Sequence, residues 1–313
     1  MPHSQSLDVV TCGEAMALLI AQQTGPLEDV QSFTRATAGA ELNVAIGLAR
    51  LGLRVGYISR VGDDSWGRQL MATLEAENII RERVRVDSRY PTGLMLKSLT
   101  PDGSDPTIEY YRKGSAASHM DLSDLPEPDA FAARHLHLTG ISPALSKSTC
   151  ELITHMAQGA RERGQTVSFD PNLRPRLWSS QETMVTTLNE LARHADWVLP
   201  GLAEGLILTG QETPEGIADF YLRLGAKAVI IKLGVKGAFY ADGSVSANIA
   251  GVPVPRVVDT VGAGDGFAVG IISARLEGMS WPEAVARGNQ IGARVVQYPG
   301  DCDGLPTRAQ LQQ

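Results

Sequence analysis

The chain has 313 residues, with 28 basic and 35 acidic side chains that give a formal net charge of −7. This acidic balance argues against nucleic-acid binding, which depends on basic side chains that neutralise phosphates. The three cysteines lie far apart, with no C-x-x-C pair, so they indicate reduced thiols rather than a disulfide framework. No signal-peptide pattern occurs, and no apolar run approaches the ~18 residues that span a bilayer. The sequence therefore predicts a cytoplasmic protein with no nucleic-acid or membrane partner.

Short apolar runs that end near glycine alternate with longer amphipathic segments from the first residues onward. The first half predicts strands at 9–12, 55–58 and 135–138, and helices at 42–51, 66–77 and 147–163. The second half predicts strands at 167–170, 197–199 and 228–232, helices at 182–195, 216–224 and 266–277, and a hairpin at 237–249. Strands joined through long helices require parallel crossover connections. We therefore predict a three-layer α/β/α fold with a mostly parallel central sheet, forming a single domain over 1–313.

Two segments, at about 15–38 and 84–120, break this alternation and carry alternating polar and apolar runs, including 92–99 and 107–112. Such runs are typical of strands with one covered face. We expect the two segments to pair into a small β-sheet that forms a lid over one face of the domain. Because an exposed sheet edge readily pairs with another chain, we also expect a homo-oligomer, a dimer through the lid.

The strongest chemical signal is a glycine-rich turn at 257–267, where a β-like run leads into a helix. Glycines and the helix N-terminus bring backbone N–H groups together, which suits an anion. Asp265 lies at the same place, either as a helix-end partner or as a general base beside a phosphoryl group. The turn lacks the third glycine of a dinucleotide fingerprint, because Phe267 stands there, and the chain has no Gly-Lys dipeptide for a Walker A loop.

The run Asp259-Thr260-Val261-Gly262-Ala263-Gly264-Asp265 resembles the D-T-x-G-A-G-D signature of the ribokinase-like (PfkB) carbohydrate kinases. The segments 38–45 and 62–67 resemble the family's N-terminal motifs, and all stand in the expected order along nearly the whole chain. The resemblance implies a ribokinase-like fold and phosphorylation of a sugar hydroxyl with ATP and Mg²⁺.

The segments 38–43, 110–116 and 170–178 are similar to the branch of that family that phosphorylates 2-keto-3-deoxygluconate, a sugar acid. The guanidinium groups of Arg112 and Arg174 suit a planar carboxylate. Three alternatives stay open at this point. The first is the same chemistry on 5-dehydro-2-deoxygluconate, fructose or ribose, the second is a sugar or nucleotide sensor that has lost turnover, and the third is an NAD-dependent oxidoreductase.

The resemblance also implies a role for each matching position. Asp265 is the base that accepts the proton of the substrate hydroxyl, and Gly262, Ala263 and Gly264 form the anion hole. The implied substrate contacts are Gly39, Asn43, Tyr110, Arg112, Arg174 and Asp301. The implied nucleotide contacts are Asn172, Lys232, Gly234, Lys236, Gly237, Gly262, Gly264 and Asn289.

Two positions depart from the family pattern. The N-x-x-E motif linked to magnesium and phosphate is here Gly201-Leu202-Ala203-Glu204, so only Glu204 is left for an indirect metal role. Met95 stands where sugar-acid relatives often have a tyrosine. Separately, the pair His135 and His137 lies on one face of a strand without an evident third ligand, which favours packing or hydrogen bonding over metal binding.

Overall fold

Strands and helices follow one another in the predicted alternation over the residues that the computed structural model describes, which are 6–100, 105–125 and 133–312. The strands in these ranges are β1 (Leu7–Cys12), β2 (Met16–Ala21), β3 (Phe33–Ala38), β4 (Val55–Gly62), β5 (Ile80–Asp87), β6 (Gly93–Lys97), β7 (Ile108–Tyr111), β8 (Ala133–Thr139), β9 (Thr166–Asp170), β10 (Trp197–Val198), β11 (Ala228–Lys232), β12 (Gly237–Ala241) and β13 (Ser246–Ala250). The α-helices are α1 (Ala40–Arg50), α2 (Ser65–Ala76), α3 (Ser142–Leu145), α4 (Lys147–Glu162), α5 (Gln181–Ala192), α6 (Leu202–Thr209), α7 (Pro214–Leu224), α8 (Ala263–Leu276), α9 (Trp281–Val295) and α10 (Arg308–Leu311).

The larger sheet of the described chain has nine strands in the order β13-β12-β11-β10-β9-β8-β1-β4-β5. The seven strands β11, β10, β9, β8, β1, β4 and β5 pair with their neighbours in parallel. The hairpin of β12 and β13 adds two antiparallel pairings at one edge. Strands covered on both faces read as continuous apolar runs, which explains the sequence Ala-Val-Ile-Ile-Lys of β11. The predicted mostly parallel sheet is confirmed.

Helices cover both faces of this sheet, and a hydrophobic core fills the space on each side. One core gathers side chains from α1, α2, α8 and α9 with the sheet, and the other gathers side chains from α4, α5 and α7. Helix α1 is buried nearly all round, since it packs between the sheet and α8. These layers confirm the three-layer α/β/α fold.

The smaller sheet has four strands in the order β3-β2-β6-β7 within the described residues. Its buried face carries an apolar cluster that includes Leu18 and Met95. The alternating runs at 92–99 and 107–112 form β6 and β7, as predicted. The beginning of the second predicted lid segment is different, because Val84–Asp87 pair in parallel with β4 and so extend the larger sheet. Pairing of two copies through the edge strands β3 and β7 stays a prediction.

Helix α9 was not predicted from hydrophobic periodicity, because glycines interrupt its apolar pattern. Gly288 is there for packing, since a Cβ atom at that position would lie 2.9 Å from the Phe267 ring of α8. The two helices therefore approach each other closely at a point where the sequence alone reads as a helix break. Every helix of the described residues is too short or too polar to cross a bilayer.

Candidate active site

The site lies at the carboxyl ends of the parallel strands, under the smaller sheet. Asp170 ends β9, Lys232 ends β11, and the smaller sheet contributes Met95 and Tyr110 from above. Open parallel sheets place ligands at this edge, because the loops that follow the strands converge there. Two neighbouring cavities open here, and they differ in the chemistry of their walls.

The first cavity has a volume of about 430 Å³, and ten polar side chains line it together with apolar side chains such as Met16, Met95 and Ile108. Asp265 lies in its wall together with Gly262 and Gly264 of the glycine-rich turn. All of the predicted substrate contacts line this cavity: Gly39, Asn43, Tyr110, Arg112, Arg174 and Asp301. The structure thus brings together residues that are up to 262 positions apart in the sequence, from Gly39 to Asp301.

The second cavity has a volume of about 310 Å³ and mostly apolar walls. Its apolar lining comes from Val235, Val252, Val254, Val257, Phe267 and Val296. Gly234, Gly237 and Asn289 also line it, and their roles as nucleotide contacts stay predictions. A narrow apolar slot with a few polar groups suits the flat base of a nucleotide. Lys232, Thr260 and Gly264 line both cavities, and so mark the junction between them.

Asp265 is buried in the first turn of α8, and its Oδ2 accepts a hydrogen bond of 2.8 Å from Asn43 Nδ2. Burial raises the pKa of Asp265 to about 7. The hydrogen bond from Asn43 and the ammonium of Lys232 oppose that rise, whereas the carboxylates of Asp170 and Asp301 add to it. The carboxyl group therefore exchanges its proton close to neutral pH, which suits a general base.

The turn before α8 can be formed only with glycine at position 262. Gly262 has φ of 82°, and a Cβ atom there would clash with the backbone carbonyl of Asp301. The Ala263 N–H donates to Thr260 O at 3.3 Å, whereas the N–H groups of Gly264 and Asp265 belong to the first turn of a helix and have no partner within it. These amides and the helix dipole form a place for an anion at the junction.

Lys232 supplies positive charge at the same junction. Its Nζ forms an ion pair of 2.6 Å with Asp170 and lies 3.5 Å from where a Cβ atom at position 264 would stand. Burial lowers the pKa of Lys232, but the carboxylates of Asp170 and Glu204 outweigh that effect, so the shift is upward and the ammonium stays charged. Burial likewise raises the pKa of Asp170, against the opposing effect of Lys232.

The two predicted carboxylate-binding arginines have different surroundings. Arg112 is buried in an ion pair with Glu14, and its guanidinium lies 5.6 Å from the centre of the Tyr110 ring. Arg174 donates to the backbone oxygen of Leu173 at 2.9 Å and has no carboxylate partner among the described residues. The charge of Arg174 is thus less compensated than that of Arg112.

Asn172, Lys236 and Glu204 do not line the second cavity, and their roles as ligand contacts stay predictions. Asn172 lines the first cavity rather than the nucleotide cavity, and Lys236 lines neither. Glu204 Oε2 accepts from Gly201 N at 2.7 Å and its Oε1 from Leu173 N at 2.8 Å, so both oxygens hold backbone at the start of α6. An indirect metal role for Glu204 stays a prediction.

The histidine pair binds hydroxyl groups, as its position on one strand face suggested. His135 contacts Thr166 Oγ1 and Ser168 Oγ at 2.7 Å each, and His137 contacts Ser168 Oγ at 2.8 Å. Burial lowers the pKa of both imidazoles, that of His137 to about 3, so both are neutral at physiological pH.

Sequence reasoning missed two charged groups beside the site. Lys97 is wholly buried between Asp259 and Asp301, and Glu14 pairs with Arg112. The alternation of the run at 92–99 could have indicated Lys97, because it places this lysine on the buried side of the strand. Glu14 lies two residues after β1, at the strand end where parallel sheets carry their functional loops.

Comparisons with known proteins agree with this geometry. The model of the family described as "pfkB family carbohydrate kinase" matches residues 6–308. The 2-dehydro-3-deoxygluconokinase of Bacillus subtilis (strain 168) is 53% identical over 97% of this chain and 94% of that protein. The crystal structure of a PfkB protein from Polaromonas sp. JS666 has a TM-score of 0.91 at 53% identity and covers 98% of this chain and 99% of that chain. An E. coli chain solved with ATP and Mg²⁺ has a TM-score of 0.88 at 26% identity, with 98% of both chains covered.

The fold and the two joined cavities are those of an ATP-dependent kinase that acts on a small sugar. The chain belongs to the PfkB family of carbohydrate kinases. The family predicted from the glycine-rich signature is thereby confirmed.

Proposed function

We propose that this kinase transfers the γ-phosphoryl group of ATP to the 6-hydroxyl of 2-keto-3-deoxygluconate, giving ADP and 2-keto-3-deoxy-6-phosphogluconate. The observation that carries the proposal is the position of Asp265, in the wall of the cavity that holds two arginines and directly after Gly264, which also lines the apolar slot for a base. The activity named for the Bacillus subtilis relative supports the same substrate. Neither a neutral sugar nor a sensor role is favoured by any of these observations.

Asp265 is the general base in this proposal. Its carboxylate accepts the proton of the 6-hydroxyl as that oxygen attacks the γ-phosphorus, and its pKa of about 7 makes both proton uptake and release easy at neutral pH. Asn43 orients the carboxylate through its Nδ2 donor. Asn43 Oδ1 is buried without a hydrogen-bond partner in the described part of the chain, so it is available to accept from a substrate hydroxyl.

The phosphoryl group passes over the junction of the two cavities. There the amides at the start of α8 and the Lys232 ammonium stabilise the charge that develops on its oxygens. Because these groups are fixed in the folded protein, little reorganisation is needed when the transition state forms.

Mg²⁺ fits this site as a companion of the nucleotide. Among the described residues no group of three or more His, Cys, Asp or Glu side chains is arranged to hold an ion. Mg²⁺ commonly keeps several waters and binds substrate phosphates, so few protein ligands are needed, with Asp170 and Glu204 as the nearby carboxylates. The ion would neutralise phosphate charge during transfer.

The sugar acid is held at its other end by arginine. Arg174 offers a guanidinium that can form paired hydrogen bonds with a planar carboxylate. Arg112 is fixed by Glu14 and contributes shape and partial charge, while Tyr110 and Asp301 offer hydrogen-bond partners to hydroxyls. Substrate binding between the sheets would exclude water, which otherwise competes as the phosphoryl acceptor.

A substrate panel tests the proposal directly. ADP release is measured with Mg-ATP and 2-keto-3-deoxygluconate, 5-dehydro-2-deoxygluconate, fructose, ribose or no sugar. We expect efficient turnover with 2-keto-3-deoxygluconate alone. Faster turnover of a neutral sugar would contradict the roles given to the arginines, and ATP binding without turnover of any sugar would contradict a catalytic function.

Arg174→Ala is expected to lower kcat/KM for the sugar acid by about 10- to 100-fold, because a charged hydrogen-bond pair is lost. Turnover of a neutral sugar, however slow, is expected to change by less than about threefold. Arg176→Ala is the matched control, because Arg176 is exposed and lines neither cavity. Equal losses for acidic and neutral sugars would show that Arg174 only shapes the cavity.

The pH dependence of kcat/KM is expected to follow the ionisation of Asp265. Since the base acts when it is deprotonated, the rate rises with pH and levels off above about pH 7. Asn43→Ala removes the hydrogen bond that holds the pKa of Asp265 down, so the acidic limb is expected to move to higher pH. The ionisation of ATP is the same in assays of the wild type and of Asn43→Ala, so it cannot cause a difference between them. An acidic limb at the same pH in both would assign the pH dependence to a group other than Asp265.

A further inference from the structure

Lys97, the last residue of β6, carries the one lysine side chain among the described residues that is wholly buried. Its Nζ lies 2.7 Å from Asp259 Oδ2 and 2.7 Å from Asp301 Oδ1. An unpaired ammonium in the interior of a protein is destabilising, so the buried position of Lys97 depends on the two carboxylates that pair with it. Burial lowers the pKa of Lys97, but the two carboxylates outweigh it and the shift is upward, which keeps the charge.

Both carboxylates belong to segments that shape the glycine-rich turn. Asp259 Oδ1 accepts a hydrogen bond of 2.9 Å from Val261 N and thereby fixes the backbone turn that precedes Gly262. Asp301 lies on the opposite side, where its own backbone carbonyl packs directly against Gly262. One ammonium therefore bridges the two walls that enclose Gly262.

The bridge starts from the smaller sheet, which also supplies the roof of the sugar cavity. A second contact joins the same parts, because Thr260 Oγ1 donates to Asp105 Oδ1 at 2.6 Å from the connection between β6 and β7. The turn is thus attached at two points to the sheet that covers the sugar.

We propose that Lys97 is a positioning residue for phosphoryl transfer: its ammonium is a fixed cation that holds the 259–262 turn against the 301 loop and ties the anion-binding amides to the smaller sheet. The inference rests on the proposed role of those amides, and it holds for whichever sugar the enzyme phosphorylates. It assigns to Lys97 no contact with substrate or nucleotide.

The first test is Lys97→Met, which keeps the length of the side chain and removes the charge. We expect kcat with the best sugar of the panel to fall by about tenfold or more, because donors that are misplaced at the transition state lose most of their effect. The dissociation constant for ATP, measured by calorimetry without sugar, is expected to change by less than about threefold. A kcat within about threefold of the wild type, in a protein that unfolds at a similar temperature, would overturn the proposal.

The second test is chemical rescue of Lys97→Ala, which leaves space between the two carboxylates. Ammonium or methylammonium chloride is expected to raise kcat of this variant by about fivefold or more, with tetramethylammonium chloride at equal ionic strength as the control that is too large to enter. The wild type should not respond, because its own ammonium fills the position. Leu18→Ala, which loosens the apolar core of the same sheet, should lose stability without any rescue.

A third variant covers the possibility that either single variant fails to fold. Lys97→Met combined with Asp259→Asn removes one buried carboxylate along with the cation, while asparagine can still accept from Val261 N. We expect this double variant to fold and to keep a low kcat. Recovery of wild-type kcat would show that Lys97 only neutralises buried charge, which would overturn the proposal. Failure of the proposed function is distinguishable, since it appears in the wild type itself, as preference for another sugar or as turnover of none.

Discussion

Asp265→Asn is expected to lower kcat by about 10²- to 10⁴-fold, because the amide cannot take the proton of the attacking hydroxyl. The Asp265 carboxylate accepts a hydrogen bond from Asn43, and an asparagine at this position can accept the same hydrogen bond through its Oδ1. The substitution therefore removes the base and keeps this contact. The dissociation constant for ATP should change little, since the nucleotide slot is left intact. Loss of less than about threefold in kcat would contradict the role of general base.

The same substitution is expected to stabilise the protein at alkaline pH. The folded pKa of Asp265, about 7, lies above the value of about 3.9 for an unfolded aspartate. The folded state therefore binds the proton more tightly, so the contribution of this group to the free energy of unfolding is greatest below about pH 4 and is lost as the pH rises through about 7. Asp265→Asn should unfold at a higher temperature than the wild type at pH 8, with a smaller difference at pH 5.

Asp63→Asn is the matched control for both effects. Its carboxylate is exposed and, within the described part of the chain, forms an ion pair only with the exposed Arg68, so neither kcat nor the pH dependence of unfolding should change appreciably. A melting difference between Asp265→Asn and the wild type that stays constant from pH 5 to pH 8 would contradict the raised pKa.

Lys232→Met is expected to lower kcat by about 10²- to 10³-fold, because the cation at the junction of the two cavities is lost. It should also lower the free energy of unfolding by about 3 kcal/mol at neutral pH, since the buried Asp170 is left without its partner. Both quantities are measurable, by steady-state kinetics and by urea unfolding.

The double variant Lys232→Met with Asp170→Asn separates the two effects. It removes the unpaired buried charge, so stability should return toward the wild type while kcat stays low. Recovery of kcat as well would limit Lys232 to neutralising Asp170. Lys147→Met is the control, because Lys147 and its partner Glu151 are both exposed and their pair should contribute less than about 1 kcal/mol.

Much of the fold could be predicted because its elements are locally encoded. The apolar run of β11 was predicted with the bounds that the structure shows, Ala228–Lys232. Helix α8 was expected to begin at 266, and it begins three residues earlier, at Ala263, because the glycine-rich signature itself forms the first turn. That signature also indicated Asp265 and the anion turn, since their chemistry is contained in seven consecutive residues.

The remaining features of the site depend on pairs that no local pattern records. Asn43 meets Asp265, and Lys97 meets Asp301, across 222 and 204 residues of sequence. The resemblance implied a nucleotide contact for Asn172, which lines the first cavity just beyond the end of β9, and that role stays a prediction. Such assignments require the strand order of the sheet, which the sequence does not state.

The two halves of this site differ in what mutation can alter. The sugar cavity is lined by side chains, such as Arg174 and Tyr110, that a single substitution can exchange for others. The phosphate turn is made of backbone, and Gly262 admits no side chain because of the Asp301 carbonyl. Point mutations in the sugar cavity can therefore change which sugar the enzyme accepts. A change in the phosphate turn would instead require a different path of the main chain.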